Sequence, residues 1–216
     1  MKADAYIFDM DGVLCDSEAL IADAACRMFR ETYDVQVQPA DFAPFVGTGE
    51  DRYLGGVAEQ VGVEIRLPHD KEETYRMYAE EARNRLQPIA GVVEFIVAAR
   101  EAGVKLAVAT SADSFKMRVN LDALGLDPTR FDALVTGEDI ERKKPHPDIF
   151  LKAAEKLAVP PSRCVVFEDA VNGVQAACAA GMHCVGMTTF FDAATLAQAG
   201  ADETWPDFLR TPVLER

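Results

Sequence analysis

The sequence has no apolar run that approaches the length of a membrane span. A transmembrane helix needs about 20 predominantly apolar residues, whereas the apolar runs here are short and interrupted by charged side chains. The opening MKADAYIFDMDG passes directly into strand-like sequence, without the apolar region of a secretory signal. We therefore expect no membrane insertion and a cytoplasmic protein. A plastid location stays open if a transit segment has been removed.

Positive charge is also scarce. The 216 residues carry 22 Lys and Arg against 36 Asp and Glu, a formal net charge of −14 at pH 7. Such a surface repels the phosphates of nucleic acids and anionic lipids, so we expect no nucleic-acid partner. A small anionic substrate would need a metal ion or a local cluster of cations. The length suits an α/β domain with a small insert, and we expect a monomer.

Cysteine is sparse, and its spacing shows no paired motif. The chain has 5 cysteines, an odd number, and no C-x-x-C pair. This usage is typical of reduced, mostly buried thiols rather than of a disulfide framework or a zinc site. The sequence also has no G-x-x-x-x-G-K phosphate loop and no G-x-S-x-G serine elbow. The cysteines are Cys15, Cys26, Cys164, Cys178 and Cys184.

Short apolar runs recur along the chain, and most of them lead into a helical pattern. Glycine ends several of these helical patterns, as at Gly103, Gly125 and Gly181. Alternating strands and helices predict an α/β fold, a Rossmann-like parallel sheet with helices on both faces. The predicted strands are Ala5–Phe8, Leu106–Ala109, Leu134–Thr136, Cys164–Phe167 and Cys184–Met187.

Residues 16–87 break this rhythm, because they contain no convincing buried strand and are rich in Ala, Glu and Arg. We predict a small helical cap domain over 16–87, inserted into a core domain of 1–15 and 88–216. If its two connections bend together, such an insert can act as a lid. We expect Thr211–Arg216 to be a frayed tail. Turns rich in Gly and Pro are predicted around Gln38–Gly56 and Leu67–Asp70.

Polar side chains follow the predicted strands at the edge where open α/β sheets bind ligands. Asp9 and Asp11 come directly after the first strand, and one of two such carboxylates can act as nucleophile or metal ligand while the other acts as general acid and base. Thr110 and Ser111 close a later strand and precede a helix, where a hydroxyl and free backbone amides suit a phosphate. Each pair taken alone also fits a solvated loop or a helix cap.

Two further clusters carry charge of opposite sign. Lys144 lies in the basic run Arg142–Pro145, and it could neutralise a nucleophile and a phosphate together. Glu168 and Asp169 follow the strand CVVF, and carboxylates there suit Mg²⁺, which prefers hard oxygen ligands. A solvated loop and a helix cap are again the alternatives for single clusters. The order of all four along the chain is more specific than any one of them.

The segments DMDGV, VATS, KKPHPDIF and VVFEDAVNGVQAA correspond in order to the four motifs of the haloacid dehalogenase superfamily. The chain resembles that superfamily over its whole length. Within it, the chain is similar to the β-phosphoglucomutase-like branch of sugar-phosphate phosphatases, which carry a helical cap after the first motif. The resemblance implies a Mg²⁺-dependent phosphatase that acts on a small phosphorylated metabolite.

The resemblance also implies a role for each motif residue. Asp9 would form an aspartyl-phosphate, and Asp11 would protonate the leaving oxygen and then activate water. Thr110, with Ser111 beside it, would hold the phosphoryl group, while Lys144 would balance the charge. Mg²⁺ would be held by Asp9, the backbone carbonyl of Asp11 and Asp169, with Glu168 supporting these ligands.

Substrate choice is expected to depend on the cap. Candidate substrate-binding residues there are Thr48, Glu50, Arg52 and Lys71, although a solvated helix face explains Arg52 and Lys71 equally well.

Two alternatives to a phosphatase stay open. A phosphosugar mutase of the β-phosphoglucomutase type would carry a His shortly after the first motif, where this chain has Ile21. It would also carry a cap Arg near Glu50. The second alternative is a regulatory or interaction domain that keeps the fold without turnover, but a pure scaffold has no need for the intact set of polar motif residues.

Overall fold

A six-stranded parallel sheet forms the centre of the computed structural model, which describes residues 3–209. The predicted tail at Thr211–Arg216 lies outside the described residues. The strands are β1 Ala5–Phe8, β2 Lys105–Ala109, β3 Ala133–Val135, β4 Cys164–Glu168, β5 His183–Met187 and β6 Glu203–Trp205. Their order in the sheet is β3-β2-β1-β4-β5-β6, with every neighbouring pair parallel. The α/β prediction is confirmed, and each predicted strand matches an observed one to within one residue at either end.

Helices surround the sheet and fill the stretch between β1 and β2. None of the helices within residues 3–209 is both long enough and apolar enough to span a membrane. The helices are α1 Glu18–Tyr33, α2 Glu50–Val61, α3 His69–Arg85, α4 Val92–Glu101, α5 Ser114–Ala123, α6 Asp148–Leu157, α7 Val171–Ala179 and α8 Ala193–Ala199. Short 3-10 turns lie at Pro39–Phe45, Pro128–Arg130 and Pro161–Arg163. All five cysteines are free.

The central strand β1 is buried on both faces, as expected of a parallel sheet between two helical layers. Tyr6 and Phe8 belong to one apolar cluster, whereas Ala5 and Ile7 belong to the other. Phe8 lies opposite Val108 of β2 and Phe167 of β4. This register brings the residues that follow β1 and β2, and those at the end of β4, to one edge of the sheet.

The segment between β1 and α4 contains α1, α2 and α3, and we call residues 16–87 the helical insert. Its two ends lie side by side, because Asp16 N donates to Gln87 O at 3.0 Å. Just outside them, Ile89 N donates to Leu14 O at 3.1 Å. The insert therefore leaves the core and returns to it at one place.

One sequence expectation was wrong in this part of the fold, and one strand at the sheet edge was missed. The predicted turn region ran as far as Gly56, but Gly55 and Gly56 lie inside α2. A Cβ on Gly56 would come within 2.3 Å of the Phe45 ring, so this glycine permits close packing rather than a turn. The edge strand β6 was not predicted, because Glu203–Trp205 is too short to show an apolar pattern.

Candidate active site

The edge formed by β1, β2 and β4 gathers the polar motif residues around one cavity. Asp9 follows β1, Thr110 follows β2, and Glu168 ends β4. Lys144 reaches them from the loop before α6. Of the residues predicted for the site, the cavity is lined by Asp9, Asp11, Glu50, Thr110, Ser111, Lys144, Glu168 and Asp169.

Lys144 lies between two carboxylates. Its Nζ is 2.6 Å from Asp9 Oδ1 and 2.5 Å from Glu168 Oε1. Burial by itself would lower the pKa of Lys144, but the two carboxylates outweigh it and raise that pKa above its usual value. The ammonium group therefore stays charged, and it holds Asp9 in a fixed position.

Glu168 has both of its oxygens occupied. Oε1 accepts from Lys144, and Oε2 accepts from the backbone N–H of Ala170 at 2.7 Å. Helix α7 passes close behind this carboxylate at Gly173, where a Cβ would lie only 1.7 Å from Glu168 Oε1. The missing side chain at Gly173 thus makes room for the Glu168–Lys144 pair.

Three carboxylates form a group that can hold a metal ion. Ligand atoms of Asp9, Glu168 and Asp169 all lie within 4.8 Å of one another, and the three residues are buried. Burial raises the pKa of Asp9 to about 7, with the negative charges of Glu168 and Asp11 acting in the same direction and Lys144 opposing them. Burial, Glu168 and Asp9 also raise the pKa of Asp169 well above its usual value. This excess of hard, negative oxygen donors fits a divalent cation such as Mg²⁺.

Asp11 has a different environment. Its Oδ2 accepts from Lys116 Nζ at 2.8 Å, and its Oδ1 accepts from the Ser17 hydroxyl. Burial would raise the pKa of Asp11, but the Lys116 charge and the hydrogen bonds from Lys116 and Ser17 outweigh it, so that this pKa is lowered. Asp11 is therefore ionised at neutral pH in this arrangement.

Lys116, which the sequence reasoning missed, links the core to the insert. Besides Asp11, its Nζ binds Glu50 Oε1 of α2 at 2.9 Å, and its side chain is only 4% exposed. A signal was present in α5, where Lys116 and Asn120 share the buried face with Met117 and Leu121. A lysine on such a face needs an acidic partner.

The hydroxyl groups after β2 also face the cavity. Thr110 Oγ1 accepts from the backbone N–H of Ala112 at 3.1 Å, which fixes the turn. Ser111 Oγ is buried and has no hydrogen-bond partner within residues 3–209. A bound anion could accept from these hydroxyls and from nearby backbone amides.

Of the four candidate cap residues, the structure brings only Glu50 into the cavity. Arg52 binds Glu59 at 2.8 Å, because a residue two positions after Glu50 points about 200° around the helix axis. Lys71 binds Asp51 at 2.7 Å and Asp113 at 2.8 Å. The Thr48 hydroxyl donates to Phe45 O at 2.6 Å, although its neighbours Gly47 and Gly49 line the cavity.

The cavity lies between the sheet edge and the helical insert. Its insert side includes Glu18, Ile21, Phe45 and Tyr53. Its volume is about 80 Å³, which leaves room for only a few water molecules.

Residues 6–187 match the family model of the haloacid dehalogenase-like hydrolases, and the chain belongs to this family of enzymes. The likeness predicted from the four motifs is therefore confirmed. The chain is 46% identical over 202 residues to SUPPRESSOR OF QUENCHING 1, a chloroplastic protein of Arabidopsis thaliana. That match covers 92% of this chain but only 19% of the longer protein.

Two other relatives match over nearly their whole length. The chain is 34% identical over 211 residues to the phosphorylated carbohydrates phosphatase of Thermotoga maritima, and the match covers 92% of each protein. The structure of the present chain superimposes on the crystal structure of CbbY from Rhodobacter sphaeroides in complex with phosphate. The TM-score is 0.84 at 27% sequence identity, with 96% of each chain covered.

Proposed function

We propose that this hydrolase is a Mg²⁺-dependent phosphatase that cleaves a small phosphate monoester through an aspartyl-phosphate on Asp9. The observation that carries the proposal is the cluster of Asp9, Lys144, Glu168 and Asp169 at the edge of the sheet. A relative named as a phosphatase of phosphorylated carbohydrates, similar over nearly the whole chain, supports the same chemistry.

Mg²⁺ would be held by Asp9, Asp169 and the backbone carbonyl of Asp11. Glu168 supports this set, because its two oxygens are bonded to Lys144 and to Ala170 N. When bound, the ion supplies positive charge that offsets the carboxylates and the phosphoryl oxygens.

In the first half-reaction, a carboxylate oxygen of Asp9 forms a bond to phosphorus as the ester P–O bond breaks. Asp11, which is ionised at neutral pH and therefore first takes a proton from solvent water, gives that proton to the departing oxygen. Lys144 and the hydroxyl of Thr110 bind the phosphoryl oxygens. Phosphoryl transfer depends mainly on such positioning and charge stabilisation.

In the second half-reaction, Asp11 takes a proton from a water molecule. The water oxygen bonds to phosphorus, the bond between phosphorus and Asp9 breaks, and phosphate is released. The lowered pKa of Asp11 favours this step, because its ionised form is the one that accepts a proton.

We propose further that residues 16–87 act as a cap over the core formed by 1–15 and 88–216. The small cavity supports this, because a substrate larger than a few water molecules can enter only if the insert moves away from the sheet edge. The adjacent connections at Asp16 and Gln87 provide a place for that movement.

Hydrolysis is preferred here to the phosphosugar mutase reaction. Ile21, which stands where the mutase branch carries a His, lines the cavity with an apolar side chain that can neither donate nor accept a proton. We retain the monomeric state and the cytoplasmic location as predictions. The chloroplastic relative supports a plastid as the alternative location.

The test is phosphate release, with Mg²⁺ present, from a panel of sugar phosphates and other small phosphorylated metabolites. Asp9→Asn should lower turnover of any good substrate by more than about a thousandfold, because the nucleophile is lost. The exposed Asp122→Asn is the matched control and should keep wild-type turnover.

Three results would contradict the proposal. A chelator that left turnover intact would argue against the metal, and conversion of glucose 1-phosphate to glucose 6-phosphate with little free phosphate would favour the mutase. No turnover across the whole panel would favour an interaction domain.

A further inference from the structure

Glu50 stands at the start of α2, on the side of the cavity that faces the sheet edge. The residue is 8% exposed and follows Gly49, which also lines the cavity. One oxygen of its carboxylate, Oε1, binds Lys116. Glu50 is therefore a buried anion that the helical insert contributes to the site.

The second oxygen of Glu50 has no well-formed hydrogen bond among the described residues, and the Tyr75 hydroxyl makes at most a weak one to this carboxylate. Oε2 is buried and has no hydrogen-bond partner in the part of the chain that the structure describes. Leaving a buried polar atom unpaired is costly, so this oxygen is a strong acceptor for a donor that enters the cavity. A substrate hydroxyl is such a donor, whereas a phosphate oxygen is an acceptor and carries the same sign of charge.

The lysines that line the cavity already form ion pairs with carboxylates of the protein. Within residues 3–209, the cavity is lined by two lysines, and each binds two carboxylates. Asp16 and Glu18 add further carboxylates to the insert side. A second phosphate placed there would meet anions without an unpaired cation to balance it.

Among the described residues, Lys143 is the one cation near the cavity that could still bind a second phosphate. It contacts Ser111 O at 3.4 Å and lies near Gly49, but it is not among the residues that line the cavity. The experiment must therefore test whether Lys143 binds the second phosphate of a bisphosphate.

We propose that Glu50 and its partner Lys116 make the leaving-group part of the cavity selective for neutral, hydroxyl-bearing groups. Sugar monophosphates are then substrates, and the corresponding bisphosphates are rejected because their second phosphate meets Glu50. This inference rests on the proposed phosphatase function and specifies its substrate class.

The hydroxyl of Tyr75 is an alternative hydrogen-bond donor to Glu50, in place of a substrate hydroxyl. This hydroxyl is also buried without a well-formed hydrogen bond among the described residues, and burial together with the Glu50 charge raises the pKa of Tyr75. A weak hydrogen bond between the Tyr75 hydroxyl and Glu50 also raises the pKa of Tyr75, and a small movement would complete this bond and satisfy both side chains. Tyr75→Phe removes this possible partner and leaves Glu50 in place.

The experiment compares matched pairs of sugar monophosphate and bisphosphate, such as fructose 6-phosphate and fructose 1,6-bisphosphate, at a fixed Mg²⁺ concentration. The readout is the ratio of kcat/KM for the two members of a pair in the same enzyme, since a general loss of catalysis cancels in that ratio. For the wild type we expect the ratio to favour the monophosphate by at least about tenfold. Glu50→Gln should lower the ratio by at least about fivefold.

The matched control is Glu72→Gln, the same change of charge at an exposed position of α3. Glu72→Gln and Tyr75→Phe should both keep the wild-type ratio. The inference is overturned if the wild type accepts the bisphosphates equally well, if Glu50→Gln leaves the ratio unchanged, or if Tyr75→Phe lowers it as Glu50→Gln does. Loss of bisphosphate turnover in Lys143→Met would identify Lys143 as the anchor and overturn it too.

Acetyl phosphate separates failure of the inference from failure of the proposed function, because its small leaving group makes little use of the Glu50 side. Wild-type hydrolysis of acetyl phosphate without the expected ratio overturns only the substrate class. If acetyl phosphate and the whole metabolite panel are left intact, both proposals fail. The wild-type ratio itself needs no variant, so the inference can be tested even if Glu50→Gln does not fold.

Discussion

Lys116 carries a buried positive charge between Asp11 and Glu50, two carboxylates from different parts of the chain. Such a group need not add stability compared with an apolar side chain, but its removal leaves unpaired charges behind. Asp11 and Glu50 would then face each other without a cation. Lys116 is thus required by its neighbours even though it has no part in the four sequence motifs.

Replacing Lys116 by Met should destabilise the protein by about 2–4 kcal/mol, because the buried Glu50 and the partly buried Asp11 lose their common partner. The measurement is the free energy of unfolding from urea titration at neutral pH. The control is Lys152→Met, which removes a partly exposed lysine that pairs with Glu155 and should cost less than about 1 kcal/mol. Equal, small effects of the two substitutions would show that Lys116 is dispensable.

Among single residues, the sequence allowed the residues of the four motifs to be selected as candidates, but it did not reveal contacts that form only when the chain folds. Asp9, Lys144 and Asp169 could be selected because each stands beside a strand end or a helix start in a recognisable order. Lys116 could not be selected that way, since a single lysine in a helix usually lies on its solvated face. Arg52 and Lys71 show the converse, because only the orientation of α2 and α3 decides that they bind Glu59, Asp51 and Asp113.

Helix α7 and helix α2 each contain glycine, and the two positions should respond oppositely to alanine. Gly173→Ala places a Cβ 1.7 Å from Glu168 Oε1, whereas nothing lies within 4 Å of a Cβ on Gly55. Alanine favours a helix interior by about 1 kcal/mol over glycine, so Gly55→Ala should stabilise the protein by roughly that amount. Gly173→Ala should destabilise it by about 1–3 kcal/mol and lower turnover, because Glu168 and Lys144 must shift.

Thermal unfolding and phosphate release of both glycine variants provide the measurement. Stabilisation by Gly173→Ala with full activity would mean that Glu168 can move aside without consequence.

The start of α3 is stabilised by Asp70, whose side chain is fully buried. Asp70 accepts from the backbone N–H of Arg66 at 2.8 Å and from the hydroxyl of Tyr33, and its carboxylate lies 3.0 Å from His69 Nδ1. Burial would raise the pKa of Asp70, but these hydrogen bonds and the Arg66 charge outweigh it and lower that pKa. The ionised carboxylate therefore stabilises the folded state.

The sign of the pH dependence follows from the lowered pKa of Asp70. Its stabilisation is present above the unfolded pKa of about 3.9 and is lost as the pH falls through the lower, folded value. Asp70→Asn should cost about 1–3 kcal/mol at pH 7. In urea titrations from pH 7 to pH 3, the difference from the wild type should shrink at the acid end, and a constant difference would contradict the role of the charge.

Strands were predicted well where burial on both faces of the sheet requires a run of apolar residues. The strands on both sides of β1 are apolar because both faces of the sheet are covered, so their sequences are continuous apolar runs. The edge strand β6 has no such constraint, since only Trp205 of its three residues is buried. Gly56 was taken for a turn signal because the sequence does not show that Phe45 packs against it.

The whole molecule should respond to Mg²⁺, because folding brings Asp9, Glu168 and Asp169 together with more negative charge than Lys144 balances. An ion that binds only the folded state stabilises it by about 2.7 kcal/mol at a concentration 100 times its Kd. We expect millimolar MgCl₂ to raise the Tm of the wild type by several degrees, roughly 2–4 °C per kcal/mol. The control is NaCl at the same ionic strength.

Asp169→Asn should remove most of this Mg²⁺-dependent rise in Tm. It should also raise the Tm measured without the ion, because one of the mutually repelling carboxylates is lost. An undiminished response to Mg²⁺ in Asp169→Asn would place the ion elsewhere.

The strand order has a consequence for how the protein is made. Of the six strands of the sheet, β1 is synthesised before the others, yet Ala5 pairs with Lys105 on one side and with Cys164 on the other. The edge that carries Asp9 therefore cannot be completed until β4 has been synthesised, and until then at least one side of the apolar strand β1 lacks its partner. Pairing over such separations in sequence is slow, and an unpaired strand edge invites aggregation. We expect nascent chains that stop before β4 to be inactive and to require chaperones that shield β1.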